Sequence, residues 1–152
     1  MDQYNNYDKL DNFLGNWILE TNKNLEEFLK FYEYSWFSMK AALLANVELI
    51  FKKTENKNSI ERTVNSTFLK GTELYTFDQQ FHLNPENLKK KHILKTDTSG
   101  NSIIQSVILK NDNNLIIWHE EAKILNDKLI ITRYWNVGNS KYDCQQIFKK
   151  KS

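Results

Sequence analysis

The spacing of apolar positions along the chain changes period twice. "FLGNWILET", residues 13–21, reads as a first strand. Leu25, Phe28, Leu29 and Tyr32 then recur at i, i+3, i+4 and i+7, the spacing of an amphipathic helix. Asn24 stands at the expected N-cap, and Glu26 and Glu27 occupy the first turn, where they favour the helix dipole. "SWFSMKAALLAN" follows as a second short helix ending near Asn46. Beyond Asn46 the pattern is strand and turn. The strand runs are "VELIFKKT", "SIERTVNSTFL", "ELYTFDQQFHL", "LKKKHILKT", "SIIQSVILK", "LIIWHEEAKI", "KLIITRYWNV" and "KYDCQQIFKKK". Between them lie turn clusters such as "ENKN", "NPEN", "DTSGN" and "NDNN", one of which holds the single Pro85. Closely spaced strands with one helical pair after the first predict a mainly β fold, a small antiparallel barrel or clam.

No internal repeat or low-complexity linker divides the chain, so one domain is expected over residues 12–152. Residues 1–11, polar and rich in Asn and Asp, form a loose or helical N-terminal extension in this reading. The closing stretch "YDCQQIFKKKS" shows a further pattern. With a period of two, Tyr142, Cys144, Gln146 and Phe148 fall on one side, and Asp143, Gln145, Ile147 and Lys149 on the other. One face of this strand therefore mixes apolar residues with a neutral amide.

Composition narrows the function classes. A chain of 152 residues with 40% hydrophobic and 13% aromatic content can bury a real core, which excludes a disordered tail protein. The net charge of +2 comes from 21 basic and 19 acidic residues, and such a balance does not announce a nucleic-acid binder. Cys144 is the single cysteine, so no intramolecular disulfide is expected. The N-terminus has neither a basic segment nor an apolar core of a secretory signal, and no run approaches the ~18 apolar residues of a membrane span. A soluble cytoplasmic protein is the simplest expectation.

Catalytic chemistry finds little support. His82, His92 and His119 are scattered without metal spacing, and four glycines do not make a phosphate loop. "HEE" at 119–121 has no nucleophile or metal beside it, and Cys144 reads as a small hydrophobe. No enzyme activity and no cofactor are expected.

Several residues resemble a known family in both order and spacing. Gly15, Trp17, Leu19, Asn24, Leu25 and Glu26 resemble the opening motif Gly-x-Trp-x-Leu, four residues, Asn, aromatic, acid, with Leu25 in place of the aromatic. "ALLAN" at 42–46, "STF" at 66–68, "DQQF" at 78–81 and the final "CQQIFKKK" continue the match over about residues 13–151. The chain resembles the intracellular lipid-binding proteins, which include fatty-acid-binding and cellular retinol-binding proteins. The resemblance implies a ten-stranded antiparallel β-clam (calycin-like) with a two-helix lid after the first strand. It also implies a monomeric, non-enzymatic carrier of one hydrophobic lipid, a fatty acid, retinoid or related molecule. Trp36, Phe37 and Met39 would stand near the portal, either as ordinary helix packing or as the way in for lipid. Lys23, Lys30 and Lys40 beside the lid would support transient membrane contact.

Relatives that bind fatty acids carry Arg-x-Tyr in the closing strand and another Arg two strands earlier. Here those positions hold Gln146, Phe148 and Ala122. An unpaired buried carboxylate is costly, whereas an amide offers a donor and an acceptor to an alcohol, aldehyde or amide. Gln146 is therefore expected to favour an uncharged head group, although retinol-binding relatives place Gln where this chain has Ala122. Arg133 shares a face with Leu129, Ile131 and Trp135, and by resemblance that face is inward. Arg133 then either pairs with Glu120, turns outward through a bulge, or holds a ligand carboxylate. Gln105, Val107, Trp118, Phe68, Tyr75 and Phe77 are further expected cavity residues. A second reading is a scaffold or protein-interaction module whose cavity is filled by its own side chains, Trp118, Trp135, Phe148 and Arg133 among them.

Overall fold

The computed structural model describes residues 8–31, 35–55, 59–67, 70–76, 79–83, 91–99, 102–111 and 114–151. A short 3-10 helix, Asp8–Phe13, leads into β1 (Gly15–Lys23), and α1 (Leu25–Phe31) and α2 (Trp36–Leu44) follow. The strands β2 (Val47–Lys53), β3 (Ser59–Ser66), β4 (Lys70–Thr76), β5 (Gln79–Leu83), β6 (Lys91–Ser99), β7 (Ser102–Asn111), β8 (Asn114–Leu125), β9 (Lys128–Val137) and β10 (Ser140–Lys150) complete the order. One antiparallel sheet runs β4-β3-β2-β1-β10-β9-β8-β7-β6-β5. The fold is thus mainly β with two helices after the first strand, as the periodicity predicts. Strands β3, β2, β1, β10, β9, β8 and β7 form a curled half-barrel.

The curl follows from one contact. β3 and β8 stand five places apart in the sheet order, about 24 Å if the sheet were flat at ~4.8 Å per strand. Yet Arg62 of β3 and Glu120 of β8 meet at 3.2 Å. Two side chains cannot bridge a flat sheet of that width, so the sheet bends back on itself.

Three local expectations are corrected. Phe13 belongs to the 3-10 helix, and the strand begins at Gly15, whose φ of 116° turns the chain. A side chain is strained at that φ whatever the space around it, which accounts for the glycine of the Gly-x-Trp motif. Asn24 takes φ 61°, outside the extended region of an N-cap, and its amide donates to the Asp143 carbonyl at 2.7 Å. It ties the start of α1 to β10. The run at 73–83 is divided between β4 and β5. By contrast α2 is capped in the ordinary way, the Ser35 hydroxyl accepting from the Ser38 N–H at 3.1 Å.

Two apolar clusters fill opposite ends of the interior. At one end Phe13, Trp17, Leu49, Phe51, Ile60, Ile103, Ala122, Leu129, Ile131 and Phe148 are buried together. Trp17 Nε1 donates to the Phe13 carbonyl at 2.8 Å, and the Phe13 and Phe51 rings lie 5.9 Å apart, so the 3-10 helix plugs this end. The second cluster joins Leu25, Phe28 and Leu29 of α1 and Met39 of α2 to Trp135 and Cys144. Leu25, Phe28 and Leu29 of the expected helical face are therefore the docking face of α1, while Tyr32 lies outside the described residues.

Candidate functional site

Register places the interior side chains in cross-strand rows. Gln105, Glu120, Arg133 and Cys144 stand directly opposite one another on β7, β8, β9 and β10. The row nearer the helices is Val107, Trp118, Trp135 and Tyr142, and the row nearer the plugged end is Ile103, Ala122, Ile131 and Gln146. A polar belt thus crosses the interior between the two apolar clusters.

The belt is bonded from wall to wall. Arg62 Nη1 donates to Glu120 Oε2 at 3.2 Å, and Arg133 Nη2 lies 3.0 Å from Glu120 Oε1. Arg133 Nη1 donates to Gln146 Oε1 at 2.7 Å, and Gln146 Nε2 donates to Asn22 Oδ1 at 3.0 Å. Burial pushes the Glu120 carboxyl up, but the neighbouring charges of Arg62 and Arg133 outweigh it and hold the group below the usual carboxylate range. Glu120 is therefore an anion at 3% side-chain exposure, kept so by the only two arginines in the sequence. Burial pushes the Cys144 thiol up against the pull of Arg133, which keeps it protonated and unreactive.

α1 closes this belt from above. The Phe28 ring packs edge-on against Trp118 at 5.1 Å and Trp135 at 5.3 Å, while Phe31 stacks on Trp135 at 5.4 Å. Arg133 lies under Phe28 with its Cζ 5.6 Å from the ring centroid. Trp36 and Phe37 of α2 point to solvent, 68% and 80% exposed, whereas Met39 is buried in the lid cluster.

Among the expected site residues, the interior brings together Gln146, Phe148, Arg133, Gln105 and Trp118. Arg133 faces inward and pairs with Glu120, the first of its three expected arrangements. Gln146 lies inside, but both ends of its amide are engaged. Gln105 is 3% exposed, and its Nε2 finds no acceptor among the described residues. Trp36 is exposed on α2, whereas Met39, one turn on, is buried. Val107 and Tyr75 are placed by backbone register, opposite Trp118 and Ile60, but their side chains lie outside the described set. Phe68 and Phe77 lie outside the described residues.

Sequence reading missed Arg62, Asn22 and Phe28. Arg62 shares the period-two face of Ile60 and Val64 on β3, a signal available in the sequence. Asn22 had none. A register shift between Leu19 and Thr21 inserts an extra residue and sets Asn22, rather than Thr21, opposite Gln146. A hollow of about 370 Å³ opens to solvent between Ile18, Val47, Asn65 and Lys151, away from this belt.

No family model matches the chain. Over 48 residues it is 38% identical to fatty acid-binding protein homolog 1 of Caenorhabditis elegans, a segment covering 32% of this chain and 30% of that protein. Among solved structures, apo lipid binding protein 8 of Caenorhabditis elegans superposes with a TM-score of 0.80 at 21% identity, covering 93% of this chain and 97% of that one. The Schistosoma mansoni fatty acid binding protein in complex with arachidonic acid gives 0.75 at 16% identity, covering 95% and 99%. At these identities the structural likeness is one of fold. In that fold, and in the sequence of the aligned segment, this chain resembles the intracellular lipid-binding proteins.

Proposed function

We propose that this protein is a non-enzymatic carrier that holds one hydrophobic lipid inside a closed ten-stranded clam, as a cytoplasmic monomer. The observation that carries the reading is the polar belt set between two apolar clusters, beneath a helical lid and inside a curled sheet. Such an arrangement offers an apolar wall to a chain and a few placed polar groups to a head. The fatty acid-binding names of the similar proteins support the ligand class, which covers fatty acids, retinoids and related lipids. Gln105, Arg133, Gln146, Phe148 and Trp118 are the proposed contacts near the head, with Phe68, Tyr75, Phe77 and Val107 on the remaining wall. Trp36 and Met39 serve the portal.

The head-group preference for an uncharged lipid gains a different support from the one read in the sequence. Gln146 spends its amide on Arg133 and Asn22, so it acts by positioning Arg133. Gln105 Nε2 is a buried donor with no acceptor among the described residues. Transfer at membranes is supported by Trp36, Phe37 and Leu44, exposed together on α2 beside Lys40, whose Nζ lies 5.8 Å from the Trp36 ring centroid. The filled end formed by Leu129, Ile131, Phe148 and Trp17 favours the alternative of a self-packed scaffold. Mass spectrometry of the organic extract of purified protein separates the two. The carrier yields one hydrophobic ligand per chain. A clean extract, together with no displacement of a bound fluorescent lipid probe, would overturn it.

A further inference from the structure

A guanidinium lining an apolar interior ordinarily recruits an external carboxylate, because it is permanently charged and donates in a fixed fork. This chain brings both of its arginines to the interior, from β3 and from β9, and presents them with a carboxylate of its own. Glu120 Oε2 accepts from Arg62, and Oε1 stands in ion-pair contact with Arg133 Nη2 at 3.0 Å without a hydrogen bond among the described residues. That is the arrangement a ligand carboxylate held between two arginines would adopt. Phe28 lies over Arg133, and Gln146 fixes its other nitrogen, so the pairing is held from two further directions.

We infer that Glu120 is a built-in surrogate for a lipid carboxylate and is the residue that turns this interior against acids and toward uncharged head groups. The inference rests on the carrier reading. A free acid entering the belt must displace Glu120 from its cations, which strands a buried anion, or sit beside it as a second anion. A neutral head displaces nothing. Gln105 stands directly opposite Glu120 in the strand register, and its buried Nε2 has no acceptor among the described residues. A hydroxyl, aldehyde or ester oxygen supplies that acceptor. The ligand class is therefore a long-chain lipid ending in a neutral oxygen acceptor.

The test uses the full chain loaded with the neutral probe N-phenyl-1-naphthylamine, displaced by palmitic acid, hexadecanol or methyl palmitate near neutral pH. Wild type should prefer the alcohol and ester over the acid by about tenfold or more in Kd, and Glu120→Gln should shift that ratio toward the acid by a similar factor. Wild type preferring the acid overturns the inference, and this arm holds even where the variant does not fold. A folded Glu120→Gln protein with an unchanged ratio also overturns it while leaving the carrier reading intact. Failure of every lipid to displace or bind in wild type overturns both.

Discussion

Arg62 on β3 and Glu120 on β8 are joined across the interior, Nη1 to Oε2 at 3.2 Å, and so fasten opposite walls of one curled sheet. Glu120 also meets Arg133, so one carboxylate serves both arginines, whereas the carboxylate itself has two cations. Glu120→Leu withdraws one buried anion from two part-buried cations and should cost about 3 kcal/mol. Arg62→Leu leaves the Glu120–Arg133 pair in place and should cost clearly less. Urea denaturation midpoints check the order of the two variants.

The same carboxylate sets an acid limb in the stability profile. Its folded pKa is depressed, so its contribution is fully present above the unfolded value of about 4.3 and is lost as pH falls through the folded value. Wild type should therefore lose stability below roughly pH 4.3 more steeply than Glu120→Gln, which has no proton to take up. Denaturant titrations between neutral and strongly acidic pH measure the difference in slope.

Gln105 Nε2 is buried with no acceptor among the described residues, and a buried donor left so costs stability. Gln105→Leu should raise the unfolding free energy by about 1 kcal/mol while weakening the binding of hexadecanol. Thermal denaturation and probe displacement on the same preparation read both effects. A variant that loses stability would show the amide to be structural.

Gln146 links Asn22 to Arg133, so the amide and Asn22 should act as a unit. Gln146→Leu should destabilise by about 1–3 kcal/mol. A double-mutant cycle with Asn22→Leu should return a coupling of about 0.5 kcal/mol or more. Additive effects would mean that the bond contributes nothing in solution.

Phe28 is the contact by which the lid covers the belt, through Trp118 and Trp135. Phe28→Ala should cost about 3 kcal/mol and admit water to both indoles. A red shift of the tryptophan emission and faster probe release by stopped flow check this.

Much of the wall was legible from alternation. Leu129, Ile131, Arg133 and Trp135 face inward as their spacing implies, and so do Cys144, Gln146 and Phe148. Residues at i and i+2 of a strand share a face whatever the rest of the chain does, and apolar neighbours say which face is inside. The same rule applied to Ile60, Arg62 and Val64 would have turned Arg62 inward. What it would meet there was not legible, because its partner lies 58 residues away on a strand that is not its neighbour.

Local periodicity carried the class of fold, the two helices after the first strand and the side of each regular strand. The wiring of the interior came from the assembled sheet. The bulge in β1 reverses the phase and brings Asn22 to Gln146. The curl of the sheet carries Arg62 to Glu120. Both depend on curvature accumulated over many strands, which no short window of residues encodes. Gln146, read in the sequence as a head-group contact, bonds Arg133 and Asn22 in the structure, and Glu120 stands between the two arginines.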